Sequence, residues 1–245
     1  MSSNVSAPVP ETPFGTRPSM RHARRDAGSV RDEAMQHARA GFPGPAVTGV
    51  CMVVAPLLAI GGTALGSRTY HARGADFVAA MAAHPGSFDT AVQLAESAML
   101  VLLLAVVGLA GMTCAGRPRL GRWAGVLAVV GLCGPISFEL VYWSASHLAD
   151  TAVHRSAAAL LIDESQVIPR TVMNVTGPAL VVGFVLLAVA AARTEVLSRL
   201  RAGCLAATAL IPLGFISGYL AISLVGFAGT AVALVPLGIE VLRRR

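Results

Sequence analysis

Long apolar stretches recur along this chain of 245 residues, and they constrain its fold more than any other feature. A helix needs about 20 mostly apolar residues to cross the hydrocarbon core of a bilayer. Charged residues make up 13% of the chain, against roughly 25% in a soluble domain. Residues 100–109 are apolar throughout, whereas membrane β-strands alternate apolar and polar residues. The sequence therefore predicts an all-α, polytopic membrane helical bundle.

Six transmembrane helices are predicted, and the last two lie within one apolar run, 204–242. At a rise of about 1.5 Å per residue, this run is too long for one helix in a core of about 30 Å. We expect it to fold back at Ser217, Gly218 and Tyr219; the alternative is five spans with one long, tilted helix. The predicted spans are residues 46–66, 90–114, 123–147, 171–192, 203–218 and 219–242.

Arginine accounts for all 19 basic residues, and its distribution predicts the orientation. With six spans, fifteen arginines fall on one side of the membrane. The other side holds the remaining four, which are Arg68, Arg73, Arg155 and Arg170. Because cytoplasmic loops carry the excess of positive charge, both termini are predicted to be cytoplasmic, at the cell membrane. The net charge of +6 does not indicate a nucleic-acid partner. The basic segments would instead contact anionic lipid head groups.

The segments outside the spans divide into a tail, a short end and two outer loops. Residues 1–45 are rich in Ser, Pro and Arg, which predicts a disordered cytoplasmic tail. Residues 46–242 form the transmembrane domain, and the three arginines at 243–245 are cytoplasmic. In the first outer loop, Phe77 and Met81 have helical spacing, so we expect a short helix on the outer surface there.

Glu96 and Glu139 are the only acidic residues well inside the predicted spans. Counted from the outer ends of two neighbouring antiparallel spans, they lie about 10 Å and about 12 Å deep. At about 100° per residue, other polar side chains share the faces of these glutamates. Together with a residue near the start of span 4, the candidate polar site comprises Gln93, Glu96, Glu139, Tyr142, Ser146 and Asn174, and Asp89 shares the helix face of Gln93 and Glu96.

No arginine lies within a span to neutralise the two glutamates, and a charged carboxylate there costs on the order of several kcal/mol. Desolvation and mutual repulsion would keep them protonated. Alternatively, Arg170 or Arg155 reaches down from the outer rim as a counterion, or a water-filled vestibule or bound cation stabilises them. A simpler interpretation is that a hydrogen-bonded pair of glutamates only links the two helices.

Histidines on the outer side are weak candidates for metal ligands. Histidine with carboxylate suits zinc, and the candidates are His84, His147 and His154. Their spacing does not fix a ligand geometry, so surface positions are the favoured interpretation. The sequence contains no nucleotide-binding or nucleophile motif. No catalytic residue and no cofactor is predicted.

Two short motifs carry a resemblance to a known group of proteins. His-Pro-Gly at 84–86 precedes span 2, and Arg-Pro-Arg at 117–119 forms the next inner turn. In these features, over roughly residues 46–240, the chain resembles uncharacterised actinobacterial six-span integral membrane proteins. Its long Arg-rich tail departs from their usual short start. The resemblance implies a fold and a compartment, and it transfers no activity.

The leading functional expectation is a non-enzymatic integral membrane protein with a structural or regulatory role. Its bundle would bind a small ligand or a lipid from the outer side. The main alternative is a small-solute or proton-coupled transporter that uses Glu96 and Glu139. A membrane enzyme with an outer-face metal site ranks below both.

Overall fold

The computed structural model describes residues 43–70, 75–149, 156–158, 167–217 and 219–244. Within these ranges the chain is helical and contains no strand, which confirms the predicted fold class at the level of secondary structure. The helices are α1 (Pro45–Tyr70), α2 (Ala75–Ala83), α3 (Pro85–Gly116), α4 (Pro118–Ala149), α5 (Val167–Arg193), α6 (Arg199–Ala206), α7 (Leu210–Ser217) and α8 (Leu220–Arg243), with a 3-10 turn at Ala207–Ala209.

Five of these helices, α1, α3, α4, α5 and α8, are long and apolar enough to cross a membrane. The apolar segments that meet this criterion are Pro45–Ser67, Pro85–Gly116, Pro118–Ser137, Asn174–Arg193 and Leu220–Arg243. They correspond to five of the six predicted spans. The predicted tail lies outside the described residues up to position 42, as do 150–155 and 159–166 of the second outer loop.

The predicted fifth span is helical but is not one continuous α-helix. α6 and α7 have eight residues each, and the 3-10 turn joins them. Pro212 has no backbone N–H to bond the carbonyl of Thr208, and its ring crowds that carbonyl. The backbone just before it tightens into a 3-10 turn, a common connection between short helical pieces.

After α7 the apolar run turns back on itself, at the position predicted from the sequence. α7 ends at Ser217 and α8 begins at Leu220, and Gly218 between them lies outside the described residues. The Ser223 hydroxyl of α8 donates a hydrogen bond of 3.1 Å to the carbonyl oxygen of Ile211 in α7. The α6–α7 segment and α8 therefore form an antiparallel pair.

The helices form a closed ring in which each packs against the next in the chain. The order is α1, α3, α4, α5, α6–α7 and α8, and α8 packs against α1. A Cβ atom added to Gly238 of α8 would lie 2.6 Å from the carbonyl oxygen of Gly49 in α1. The beginning of α1 and the end of α8 therefore lie at the same end of the bundle. One apolar core joins the ring and includes Met52, Leu102, Leu132, Phe184 and Leu234.

The two ends of the bundle differ in charge. We refer to the end that holds the α3–α4 turn, the α5–α6 turn and the end of α8 as the arginine end. Its described arginines are Arg117, Arg119, Arg122, Arg193, Arg199, Arg201, Arg243 and Arg244. We refer to the opposite end as the acidic end: it holds Asp76, Asp89 and Glu96, together with the helix positions of Arg68 and Arg170.

The short helix predicted in the first outer loop is present as α2, at the acidic end. Phe77, Val78 and Met81 are buried. The ring of Phe77 meets that of Phe88 in α3 edge to face, with 5.7 Å between centroids. Ala145 of α4 belongs to the same small apolar cluster. The apolar face of α2 thus packs against the bundle instead of standing free.

Candidate functional site at the acidic end

Asp89, Gln93 and Glu96 follow one another along one side of α3. Their spacing places them on successive turns of the helix. The side-chain amide of Gln93 donates a hydrogen bond of 2.9 Å to Oδ2 of Asp89. The three side chains form a polar stripe on α3, and we use that name below.

The second carboxylate oxygen of Asp89 is the unusual atom in the polar stripe. Among the described side chains, Oδ1 of Asp89 is the only buried polar atom without a hydrogen-bond partner. Leaving a buried acceptor unpaired costs about 1–3 kcal/mol, and more when the group is charged. A donor or a cation that reached this oxygen would therefore bind favourably.

Glu96 lies on the side of α3 that faces α4. Five turns of about 3.6 residues separate Glu96 from Cys114, so the two share one angular position around the helix. Cys114 adjoins α4, since a Cβ atom added to Gly121 would lie 2.8 Å from the Cys114 backbone nitrogen. Glu96 itself is half-buried, as expected for a residue at the boundary between two helices.

The backbone of α4 places position 139 level with Glu96. A Cβ atom added to Gly125 would lie 2.6 Å from the Cβ of Ala110, which fixes the register of the antiparallel pair. Along α4, position 139 lies as far after Gly125 as Glu96 lies before Ala110 along α3. Because the two helices are antiparallel, the two positions lie at the same height. Position 139 is also about five turns from Gly121. The side chain of Glu139 lies outside the described residues.

No described side chain forms an ion pair or hydrogen bond with Glu96. At the arginine end, by contrast, Arg244 Nη2 lies 3.0 Å from Oε1 of Glu240. The half-buried carboxylate of Glu96 is therefore available to a ligand, and Oδ1 of Asp89 is a buried acceptor that lacks a partner.

Several other residues of the predicted site cannot be placed in this way. Asn174 of α5 is described and exposed. The side chains of Tyr142, Ser146 and Arg170, and all of His154 and Arg155, lie outside the described residues.

The two described histidines of the predicted metal set are both exposed. His84 precedes the first turn of α3. His147 lies near the end of α4, where its Nδ1 is 3.2 Å from the carbonyl oxygen of Trp143 and its ring is 4.6 Å from the indole. Within the described ranges, no group of three His, Cys, Asp or Glu side chains is arranged to hold a metal ion.

Comparisons with known proteins identify no relative. No family model, no curated protein and no solved structure matches the chain. The functional argument therefore rests on the chain's own residues.

Proposed function

We propose that the chain is a multi-pass integral protein of the cell membrane with six spans. Five are the long apolar helices, and the sixth is the α6–α7 segment. From Arg199 to Ser217 this segment would cover about 28 Å at helical rise, close to a core of about 30 Å. An interruption of α-helical geometry in a membrane helix needs polar partners from neighbouring helices. At the 3-10 turn, the hydroxyl oxygens of Thr208 and Thr230 lie 2.7 Å apart.

In this proposal the arginine end and both termini face the cytoplasm. Eight of the ten arginines in the described ranges lie at one end of the bundle, and cytoplasmic segments carry the excess of positive charge. Reporter fusions at the C-terminus test the orientation. We expect a green fluorescent protein fusion to fluoresce and an alkaline phosphatase fusion to be inactive. An active phosphatase fusion would contradict the orientation.

At the acidic end, the polar stripe would bind a small ligand from outside the cell, and the role would be non-enzymatic, structural or regulatory. The observation that carries this proposal is the Oδ1 atom of Asp89, which is buried and has no hydrogen-bond partner. Glu96 supplies a second carboxylate on the same stripe. Ionised carboxylates only accept hydrogen bonds, so the ligand would be a metal cation, an amine or another hydrogen-bond donor.

The length of α3 favours a site near the membrane surface. α3 has 32 residues, or about 48 Å at helical rise, which exceeds a core of about 30 Å. The five turns from Cys114 to Glu96 cover about 27 Å. With Cys114 at the cytoplasmic boundary, Glu96 would lie close to the outer boundary, shallower than its predicted depth. An acidic side chain there is reachable by water and is less costly to ionise.

A proton-coupled or small-solute carrier is the second candidate. It is favoured by the register that places position 139 level with Glu96, since two neighbouring carboxylates can share one proton. However, coupling sites of carriers usually lie near the midplane of the bilayer. The shallow position of Glu96 in the proposed topology therefore ranks the carrier below a surface ligand site.

Thermal unfolding with defined cations tests the ligand site. We expect calcium or spermidine to raise the melting temperature of the purified protein, and Asp89→Asn to remove the increase. Because Asp89 and Glu96 lie about 10 Å apart along α3, Glu96→Gln should remove only the increase due to spermidine, which is long enough to reach both carboxylates. Glu240→Gln at the arginine end is the matched control and should keep it. If neither cation shifts the wild-type protein, a cation site of this kind is wrong. Proton flux in proteoliposomes that Glu96→Gln abolishes would instead support the carrier.

A further inference from the structure

A groove of about 550 Å³ lies between α6 and α8, on the outside of the ring. It begins at Arg199, at the arginine end, and runs along Gly203 and Ala207 of the α6 side. Gly229 and Val232 line it from α8. Apart from Arg199, these residues are glycines or have apolar side chains, and the groove opens away from the core.

Small residues produce this groove. A Cβ atom added to Gly229 would lie 2.5 Å from the carbonyl oxygen of Cys204, so α6 and α8 touch there. A Cβ atom added to Gly203 would meet nothing within 4 Å. Leu200 stands beside this opening with 78% of its surface exposed. The two helices thus touch at the base of the groove, and larger side chains such as Leu200 form its edges.

We propose that the groove holds an acyl chain of an anionic phospholipid whose phosphate is bound by Arg199. The apolar walls suit hydrocarbon, and from Arg199 to Ala207 the groove would follow the helix for about 12 Å. Arg199 is exposed at the end of the bundle where head groups would lie. A guanidinium group binds phosphate through charge-assisted hydrogen bonds.

The charges around the groove favour a phospholipid over a second copy of this chain. A helix from a second copy would have to bring an acidic partner for Arg199. Among the described residues at the arginine end, only Glu195 and Glu240 are acidic, and Glu240 already pairs with Arg244. A second copy would therefore bring mainly arginines, whereas a phospholipid brings a negative phosphate.

The lipid site rests on the proposed membrane insertion and is independent of the ligand site at the acidic end. Its test can therefore fail separately. Membranes that contain each variant are first washed with alkaline carbonate, and the protein should stay in the membrane pellet. Loss from the pellet would overturn the membrane insertion and the lipid site together.

Native mass spectrometry of protein released from nanodiscs tests the site. The nanodiscs contain equal amounts of phosphatidylglycerol and phosphatidylcholine. We expect the wild-type protein to retain one phosphatidylglycerol molecule. Gly203→Leu, which fills the groove, and Arg199→Gln should each lower retention by roughly tenfold or more, as expected when a charge-assisted hydrogen bond or its apolar counterpart is lost.

Matched controls separate the groove from general effects of these substitutions. Gly111 of α3 is also exposed and has nothing within 4 Å of an added Cβ atom, so Gly111→Leu should retain the lipid. Arg119→Gln removes an exposed arginine elsewhere at the arginine end and should also retain it. Because Arg199 is exposed, Arg199→Gln should fold even if Gly203→Leu does not.

Three results would overturn the lipid site. One is equal phosphatidylglycerol retention by the wild-type protein and Arg199→Gln. Another is equal retention of phosphatidylcholine and phosphatidylglycerol by the wild-type protein. The third is a dimer mass that Gly203→Leu abolishes, which would identify a second copy as the occupant.

Discussion

Helix α4 packs against both of its neighbours through glycines, but the two contacts differ towards the acidic end. Against α5 the contact is reciprocal. A Cβ atom added to Gly131 of α4 would collide with the backbone of Leu180, and one added to Gly183 of α5 would collide with the backbone of Ala128. Against α3, Gly121 and Gly125 make the close contact nearer the arginine end, and towards the acidic end the half-buried Glu96 lies on the side of α3 that faces α4. Backbones that approach through glycines gain close van der Waals contact, whereas a carboxylate at a helix boundary needs a partner. In the proposed account, the α4–α5 side is the structural frame and the α3–α4 side at the acidic end is the binding side.

The largest effect should come from breaking the glycine contact. Gly183→Leu would force a side chain into the backbone of α4, because a Cβ atom at Gly183 already meets Leu127 and Ala128. We expect it to lower the free energy of unfolding by about 3 kcal/mol or more, measured by thermal unfolding in detergent. Gly177→Leu on the same helix is the control, since nothing lies within 4 Å of its added Cβ atom. Equal melting temperatures for the two variants would contradict the frame.

A milder test uses two adjacent glycines of α1. A Cβ atom at Gly62 would lie 2.9 Å from the carbonyl oxygen of Ala91 in α3, whereas one at Gly61 would meet nothing within 4 Å. Gly62→Ala should therefore destabilise the bundle by about 1–2 kcal/mol. Gly61→Ala should stabilise it by up to about 1 kcal/mol through helix propensity. If both changes have the same sign in thermal unfolding, the close α1–α3 contact is wrong.

The binding side of α4 makes the opposite prediction. Because Glu96 has no described partner, Glu96→Leu should leave stability unchanged or raise it by about 1 kcal/mol. Glu240→Leu, which removes the exposed pair with Arg244, should lower stability by at most about 1 kcal/mol. Chemical or thermal unfolding measures both. A clear loss of stability in Glu96→Leu would show that Glu96 mainly links α3 and α4.

The smallest expected effect lies in the turn that ends α5. Glu195 has φ of 58°, a left-handed conformation that favours glycine, and the Leu197 N–H donates a 3.1 Å hydrogen bond to the Ala191 carbonyl across it. Glu195→Gly should stabilise the protein by about 1 kcal/mol. Ser198→Ala, which removes the N-cap of α6, should destabilise it by about 1 kcal/mol. A destabilised Glu195→Gly variant would show that the carboxylate has a role in this turn.

The sequence predicted the positions of helices more reliably than their continuity. Apolar runs are a property of composition, so their helices could be recognised. Pro56, Pro135, Pro178 and Pro236 remain inside continuous α-helices, whereas Pro212 follows a 3-10 turn. Sequence alone does not distinguish these prolines, because the outcome depends on neighbouring groups such as Thr230 of α8.

Periodicity placed Asp89, Gln93 and Glu96 on one face of a helix, and two consequences of that placement required the structure. The unpaired oxygen of Asp89 depends on burial, which no spacing rule gives. The depth of Glu96 depends on where its helix begins, and α3 begins at Pro85, before the predicted start of the span at residue 90. The groove at Gly203 was also missed, although small residues on both helices were its visible signal.

The most direct test asks whether Glu96 lies at the outer surface, beside position 139. The four native cysteines would first be replaced by alanine, and Glu96→Cys would then be treated in intact cells with a membrane-impermeant maleimide. We predict labelling from outside the cell, and disulfide formation when Glu139→Cys is added. Labelling of Glu96→Cys only after the cells are opened, without cross-linking to position 139, would contradict the proposed site.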